Sequence, residues 1–203
     1  IAVALGLSMG ILSAVKHNSA FDYTAMFIAI SGVSAPVFWV GLLLLLLFAY
    51  HLGWVSGIGE GDGSWRYLIL PAITLGVRPA ALIARLTRSC MLEVLSQDYI
   101  RTARAKGLRE QAVVIKHAFR NALIPVVTII GTQISDLLSG AVLTESIFAW
   151  PGIGRLAVEA LVNRDFPMIR GTVIVMALTF LLANLFVDIS YGFIDPRIRY
   201  DRS

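Results

Sequence analysis

One cysteine in 203 residues, Cys90, excludes an internal disulfide and leaves no thiol cluster for a metal ion. The three histidines, His17, His51 and His117, are too scattered to suggest ligand spacing, and a lone His117 reads as a packing or capping residue. No Gly-x-x-x-x-Gly-Lys-Ser/Thr loop occurs, so the chain is not expected to bind and split ATP by itself. Nor do a nucleophile, a base and an orienting group stand out as a catalytic set. Gly57, Gly59, Gly61 and Gly63 alternate, and Gly152 and Gly154 form a shorter echo, but both runs lack the context of a nucleotide-binding turn. No cofactor is expected in this chain. Charge is scarce too, at 15% of residues, and the net +4 is concentrated between apolar runs. That placement argues against nucleic acid and for orientation in a membrane.

What the chain has in excess is apolar surface. It is 57% hydrophobic with a mean hydropathy of +0.77, more than a soluble domain can bury. The sequence opens without an initiator methionine, and residues 1–15 are apolar. As a helix they would rise only ~22 Å against a ~30 Å hydrocarbon core. The chain is therefore expected to begin partway through a span and to be truncated at its N-terminus. A polar turn, 16–24, precedes an uncharged run, 25–50, in which Pro36 predicts a kink rather than a break. The stretch 51–67, with Trp54, Trp65 and Tyr67, reads as an interfacial loop.

Further spans are expected at 68–91, bent by Pro71 and Pro79, at 123–143, with Pro125 in its first turn, and at 171–191. Small residues at Gly131, Ser135, Ser139, Gly140 and Ala141 suit close helix packing. The fold class is all-α, a polytopic transmembrane bundle in one domain over 1–203. Basic residues gather in the loop between the third and fourth segments and in the tail at Arg197, Arg199 and Arg202, while the loop 51–67 has only Arg66. The basic side faces the cytoplasm.

The stretch 98–121 is too charged to cross a bilayer. Asp98 is a plausible N-cap, 99–106 favours a helix, and Gly107 is the residue type that ends one in the left-handed conformation, with Leu108 as the apolar contact that follows. Ile100, Ala103 and Gly107 fall on one face, where a neighbouring backbone can approach closely. A solvated linker and a docking helix fit this pattern equally.

The run Tyr99-Ile-Arg-Thr-Ala-Arg-Ala-Lys-Gly-Leu108, followed by Lys116-His-Ala-Phe-Arg-Asn-Ala-Leu-Ile-Pro125, resembles the cytoplasmic coupling loop of ABC importer permeases, in particular the dipeptide, oligopeptide and nickel permease family. Arg101 stands where the wider superfamily carries Glu; the Arg-Thr-Ala-Arg-Ala-Lys-Gly form is similar to the peptide-permease branch. The resemblance implies a type I permease fold and an ATPase-coupling role for Ile100, Arg101, Thr102, Ala103, Arg104, Ala105, Lys106, Gly107, Leu108 and His117. It also implies a second homologous permease subunit, two ATP-binding subunits holding Mg-ATP, an extracytoplasmic solute-binding protein, and a place in the bacterial inner membrane. Glu145, Trp150, Pro151, Gly152, Gly154 and Arg155 resemble the same family. They lie in the outer segment 144–170, as a Pro-Gly turn and a short helix that either plugs the bundle or receives a partner.

Arg78 and Asp136 sit within spans at comparable depth and are expected either to pair or to line the path; Asp188 is expected to pair with a basic residue such as Arg85, Arg88 or Arg120. Two other classes stay open on residues alone. One is an ion-coupled secondary transporter, for which inverted repeats are not evident; the other is a non-transporting membrane scaffold or receptor.

Overall fold

The computed structural model describes residues 1–55, 58–59, 64–138 and 141–194, without the side chains at 135, 138, 188 and 190–194. Asp188, Gly57, Gly61, Gly63, Ser135, Ser139, Gly140 and the tail from Asp195 to Arg202 therefore lie outside the described residues, in whole or in side chain. Ten α-helices follow in order and, among the described residues, no strand: α1 (Ala2–Val15), α2 (Ala20–Ser34), α3 (Val37–Leu44), α4 (Ile69–Leu95), α5 (Asp98–Ala105), α6 (Glu110–Ala112), α7 (Arg120–Leu138), α8 (Val142–Ile147), α9 (Ile153–Val162) and α10 (Phe166–Ile194). Wider π-helical turns, Leu45–His51 and Val113–Phe119, continue α3 and join α6 to α7. Trp65–Leu95, Glu110–Ile134 and Phe166–Val187 are each long and apolar enough to cross a membrane; α2 with α3 and its extension would make a fourth span, and α1 is shorter.

The chain groups into two compact units. In the first, built from Ile1–Ser34 and Arg78–Gly131 with the residues from Ser190 on, α1 lies directly against α4. A Cβ on Gly6 would stand 2.8 Å from the Ala80 carbonyl and from Ile83, and one on Gly10 would stand 2.6 Å from Thr87. The two glycines, four residues apart on one helix face, let the backbones meet. This contact was not among the small-residue positions expected to pack.

A second feature missed by the sequence reading lies at the inner end of α1. Asp22, in the first turn of α2, is 1% exposed and accepts from Arg88 Nε at 2.6 Å and Nη2 at 2.7 Å, from the Ser13 hydroxyl, and from the Asn18 backbone N–H at 3.0 Å. The region 16–24 is thus not wholly a polar turn: α1 ends at Val15, and α2 starts at Ala20 with Asp22 turned inward. Arg88 is held by Asp22, which takes it from the candidate partners of Asp188.

The second unit comprises Ala35–Val77 and Thr132–Ile189. Pro36 breaks the chain rather than kinking it: α2 stops at Ser34, and Pro36 caps α3 in an extended conformation (φ −61°, ψ 133°). Phe148 is the hub, 1% exposed, with its ring and Thr74 against Gly41. Pro71 sits in the first turn of α4, where a missing N–H is tolerated, whereas Pro79 is inside that helix. Pro125 is also interior, because helical turns already run from Glu110 to Phe119 before α7 begins, so its expected first-turn position is revised.

Candidate functional site

Two places gather the residues singled out from sequence. The first is α5 and the turn after it. Gln97, in an extended conformation, precedes the helix as its cap without a side-chain bond. Asp98 is one residue inside the helix, 3.7 Å from Arg101, so the expected Asp98 cap is displaced by one position. The end of the helix is as the sequence requires. Gly107 has φ +76°, its N–H donates to the Arg104 carbonyl at 2.9 Å, and the Leu108 N–H donates to the Ala103 carbonyl at 3.4 Å. These two bonds close a Schellman motif. Leu108 is 43% exposed, so the motif forms without burying its apolar contact.

The faces of α5 are unlike one another. Ile100 is fully buried and Ala103 nearly so, packed in one apolar cluster with Ala14 of α1, Met91 of α4, Val113, Val114 and Ala118 of the π-helical turns, and Ala122 of α7. Burying one such isoleucine stabilises by about 1.5–3 kcal/mol. The face on which a neighbouring backbone was expected to approach is therefore filled, at Ile100 and Ala103, by the chain's own helices, while Gly107 stays exposed. Ile100 and Ala103 anchor α5, and a partner can reach Asp98, Tyr99, Arg101, Thr102, Arg104, Ala105, Lys106, Gly107 and Leu108, all exposed.

Polar contacts fix the same arrangement. Asn121 Nδ2 donates to the Tyr99 hydroxyl at 3.0 Å and to the His117 carbonyl at 2.8 Å, joining α5 to α7. His117, half-buried, enters through its backbone. Arg104 grips Glu110 with Nη2 at 2.7 Å and Nε at 3.2 Å across the turn, and these bonds raise its guanidinium further above its ordinary pKa.

The second place is the segment around Trp150. Helix α8 ends with the Ala149 N–H on the Ser146 carbonyl and the Trp150 N–H on the Glu145 carbonyl, with Ala149 at φ +49° where glycine is usual. The turn brings the Glu145 carboxylate to the start of α9, where it accepts the Arg155 backbone N–H at 2.9 Å. A carboxylate there satisfies an orphan donor and meets the positive end of the helix dipole. A Cβ on Gly152 would stand 2.2 Å from Glu145 Cδ, and one on Gly154 would stand 2.9 Å from Oε2. The spacing of Trp150-Pro-Gly-Ile-Gly154 is thereby explained, since both glycines make room for the carboxylate. Arg155 also donates to the Ala149 carbonyl and to Glu159, each at 2.7 Å. Glu145, Gly152 and Gly154 are engaged within the unit, Trp150 is half-buried, and Pro151 is exposed. A cavity of about 510 Å³ opens beside Pro151, Arg155 and Glu159.

Of the intramembrane charges, Arg78 is exposed in the first unit and Asp136 exposed in the second. Neither Tyr99 nor Asn121 was among the candidate site residues, although both sit at the ends of the charged stretch.

Residues 6–200 match the family described as the binding-protein-dependent transport system inner membrane component. The chain belongs to this family. The dipeptide transport system permease protein DppB of Alkalihalophilus pseudofirmus is 48% identical over 98% of the chain and 68% of its own length. DppB of Escherichia coli is 46% identical over 99% and 68%. The glutathione transport system permease protein GsiC of Escherichia coli is 48% identical over 98% and 64%. Among solved structures, an inward-facing conformation of the MetNI methionine ABC transporter superposes with a TM-score of 0.76 at 18% identity, over 96% of this chain and 88% of that one. The fold is that of a type I ABC importer permease, and the chain is a membrane-embedded permease component of an ATP-driven importer, not itself an enzyme. The ion-coupled transporter and the scaffold are set aside. ATPase and permease partners follow from the family.

Proposed function

We propose that this permease carries a di- or oligopeptide, or a solute of similar chemistry such as glutathione, across the bacterial inner membrane as a multi-pass subunit. The relatives named above supply the substrate class. Two ATP-binding subunits hydrolyse Mg-ATP, a second homologous permease completes the pathway, and an extracytoplasmic binding protein delivers the solute. The chain itself holds no cofactor, meets the lipid bilayer on its outside, and has no nucleic-acid partner.

The observation that carries the reading is the two-faced α5. Its outer face exposes Arg101, Thr102, Ala105 and Lys106 to a cytoplasmic partner, while Ile100 and Ala103 are clamped to α1, α4 and α7. A dense apolar contact transmits displacement because it has little room to compress. When the ATPase subunits close, α5 moves and draws with it the helices on which it is seated. The chain thus converts motion generated elsewhere into a change of access. In reconstituted vesicles, uptake should require ATP and the added binding protein, and should persist when ion gradients are collapsed. Uptake driven by an ion gradient without ATP would refute the reading.

A further inference from the structure

Arg78, Leu82, Arg85 and Ser89 recur along α4 at i, i+4, i+7 and i+11, and so share one face of the helix. That face is opposite the one carrying Ala80, Ile83, Ala84 and Thr87, which α1 covers. Arg78, Arg85 and Ser89 are exposed. Arg78 lies ~14 Å along the helix from Ile69 and Arg85 ~10 Å further, so a ~30 Å hydrocarbon layer beginning at Ile69 would contain both. A guanidinium at such depth does not face lipid; it faces a water-filled cavity or another polar group. Among the described residues Arg85 has no ion-pair partner, whereas Arg88, one turn on, is fully engaged by Asp22. Beside Arg85 lies a cavity of about 340 Å³ lined by Leu82, Arg85, Leu86, Ser89 and Ile129. It combines one unpaired cation, one hydroxyl donor and apolar walls.

Building on the peptide-importer reading, we propose that Arg85 and Ser89 form a carboxylate-binding station on the inner half of the translocation path, with Arg78 as the station before it. The guanidinium fork takes a carboxylate through two parallel hydrogen bonds, the Ser89 hydroxyl supplies a third donor, and the Leu82, Leu86 and Ile129 walls accept the apolar remainder of the solute. The ~10 Å between the two arginines is about the length of three extended residues, so a terminal carboxylate passes from one to the other within a short peptide's reach.

The test uses the complete transporter in vesicles, with alanyl-alanine and glutathione as probes. Arg85→Gln should lower uptake by roughly tenfold or more while binding-protein-stimulated ATP hydrolysis stays within about twofold, and Arg85→Lys should restore a substantial part of the uptake. In a Cys90→Ser background, Ser89→Cys should react with a water-soluble thiol reagent and be shielded by excess alanyl-alanine. This second measurement decides the matter if Arg85→Gln does not assemble. Wild-type uptake from Arg85→Gln, or a Ser89→Cys thiol that is unreactive or unshielded, would overturn the proposal. If the Arg85→Gln defect vanishes in vesicles without anionic lipid, the arginine serves a lipid headgroup and the carboxylate assignment is wrong. Wild-type vesicles that take up neither probe would refute the underlying peptide reading, and the station with it.

Discussion

Replacing Ile100 by alanine separates the anchoring of α5 from its docking. The side chain is fully buried, and its neighbours in the cluster come from α1, α4, the π-helical turns and α7. Removing three carbons there leaves a cavity bounded by Met91 of α4 and by Val113 and Ala118 of the π-helical turn, each itself fully buried, so the site cannot easily collapse. The expected loss is about 3–4 kcal/mol, the middle of the range for such truncations. In detergent solution that should lower the unfolding midpoint by on the order of 10 °C. Arg101→Ala removes a side chain that is 78% exposed and should change stability by less than about 0.5 kcal/mol. Function should divide the other way. Ile100→Ala leaves the docking face in place, so the ATPase should still co-purify, but more ATP should be hydrolysed per solute because α5 no longer grips α4 and α7. Arg101→Ala should weaken ATPase association and leave the ratio of transport to hydrolysis near wild type in whatever complex forms. An Ile100→Ala chain that melts within a degree or two of wild type, with unchanged coupling, would refute the clamp.

Gly107→Ala meets no atom within 4 Å, so its penalty is the left-handed backbone alone, about 1–2 kcal/mol, and Gly107→Asn should lose less; equal melting of the two variants would count against the motif. Gly152→Ala should expel the Glu145 carboxylate and forfeit roughly 1.5–3 kcal/mol of charge-assisted capping. If Glu145 is what the new methyl displaces, Glu145→Ala combined with Gly152→Ala should cost little more than Glu145→Ala alone, whereas additive losses in thermal unfolding would reject this account. Asp22→Ala strands Arg88 and should destabilise by about 3–5 kcal/mol, more than the Asp22→Ala, Arg88→Met double variant; the reverse order would show that the pair is not what holds α2 to α4.

How much of this was legible beforehand depends on what each signal reports. The spans expected at 68–91 and 171–191 were readable because a long apolar run has few alternatives in water, whereas the one expected at 123–143 is found over Glu110–Ile134. The end of α5 was readable because Gly107 supplies a backbone conformation that few residues adopt. The break at Pro36 was not, since one proline is compatible with a kink or a stop. Asp22 was overlooked for a related reason: a polar residue among Lys16, His17, Asn18 and Ser19 looks solvated, and only the fold brings Arg88 from 66 residues away to bury it. Glu145 resembled a contact for an outside partner until the turn at Ala149 set its carboxylate against α9.

The face of α5 is the most instructive case, because periodicity finds an apolar face but does not say what covers it. Ile100, Ala103 and Gly107 at i, i+3 and i+7 fit a surface awaiting a partner and a surface already occupied equally well. What decides is the supply of apolar residues nearby that need a neighbour of their own. Met91, one turn before α4 ends, and Val113, Val114 and Ala118 just after α5 are apolar residues of this kind, and Ile100 packs in one cluster with them. A partner that gripped Ile100 directly would have to prise α5 off this core before it could pull on anything. On the proposed coupling, holding Ile100 inside and presenting Arg101 and Lys106 outside would let the ATPase seize a helix already fixed to its load, and the coupling would follow from that division of faces.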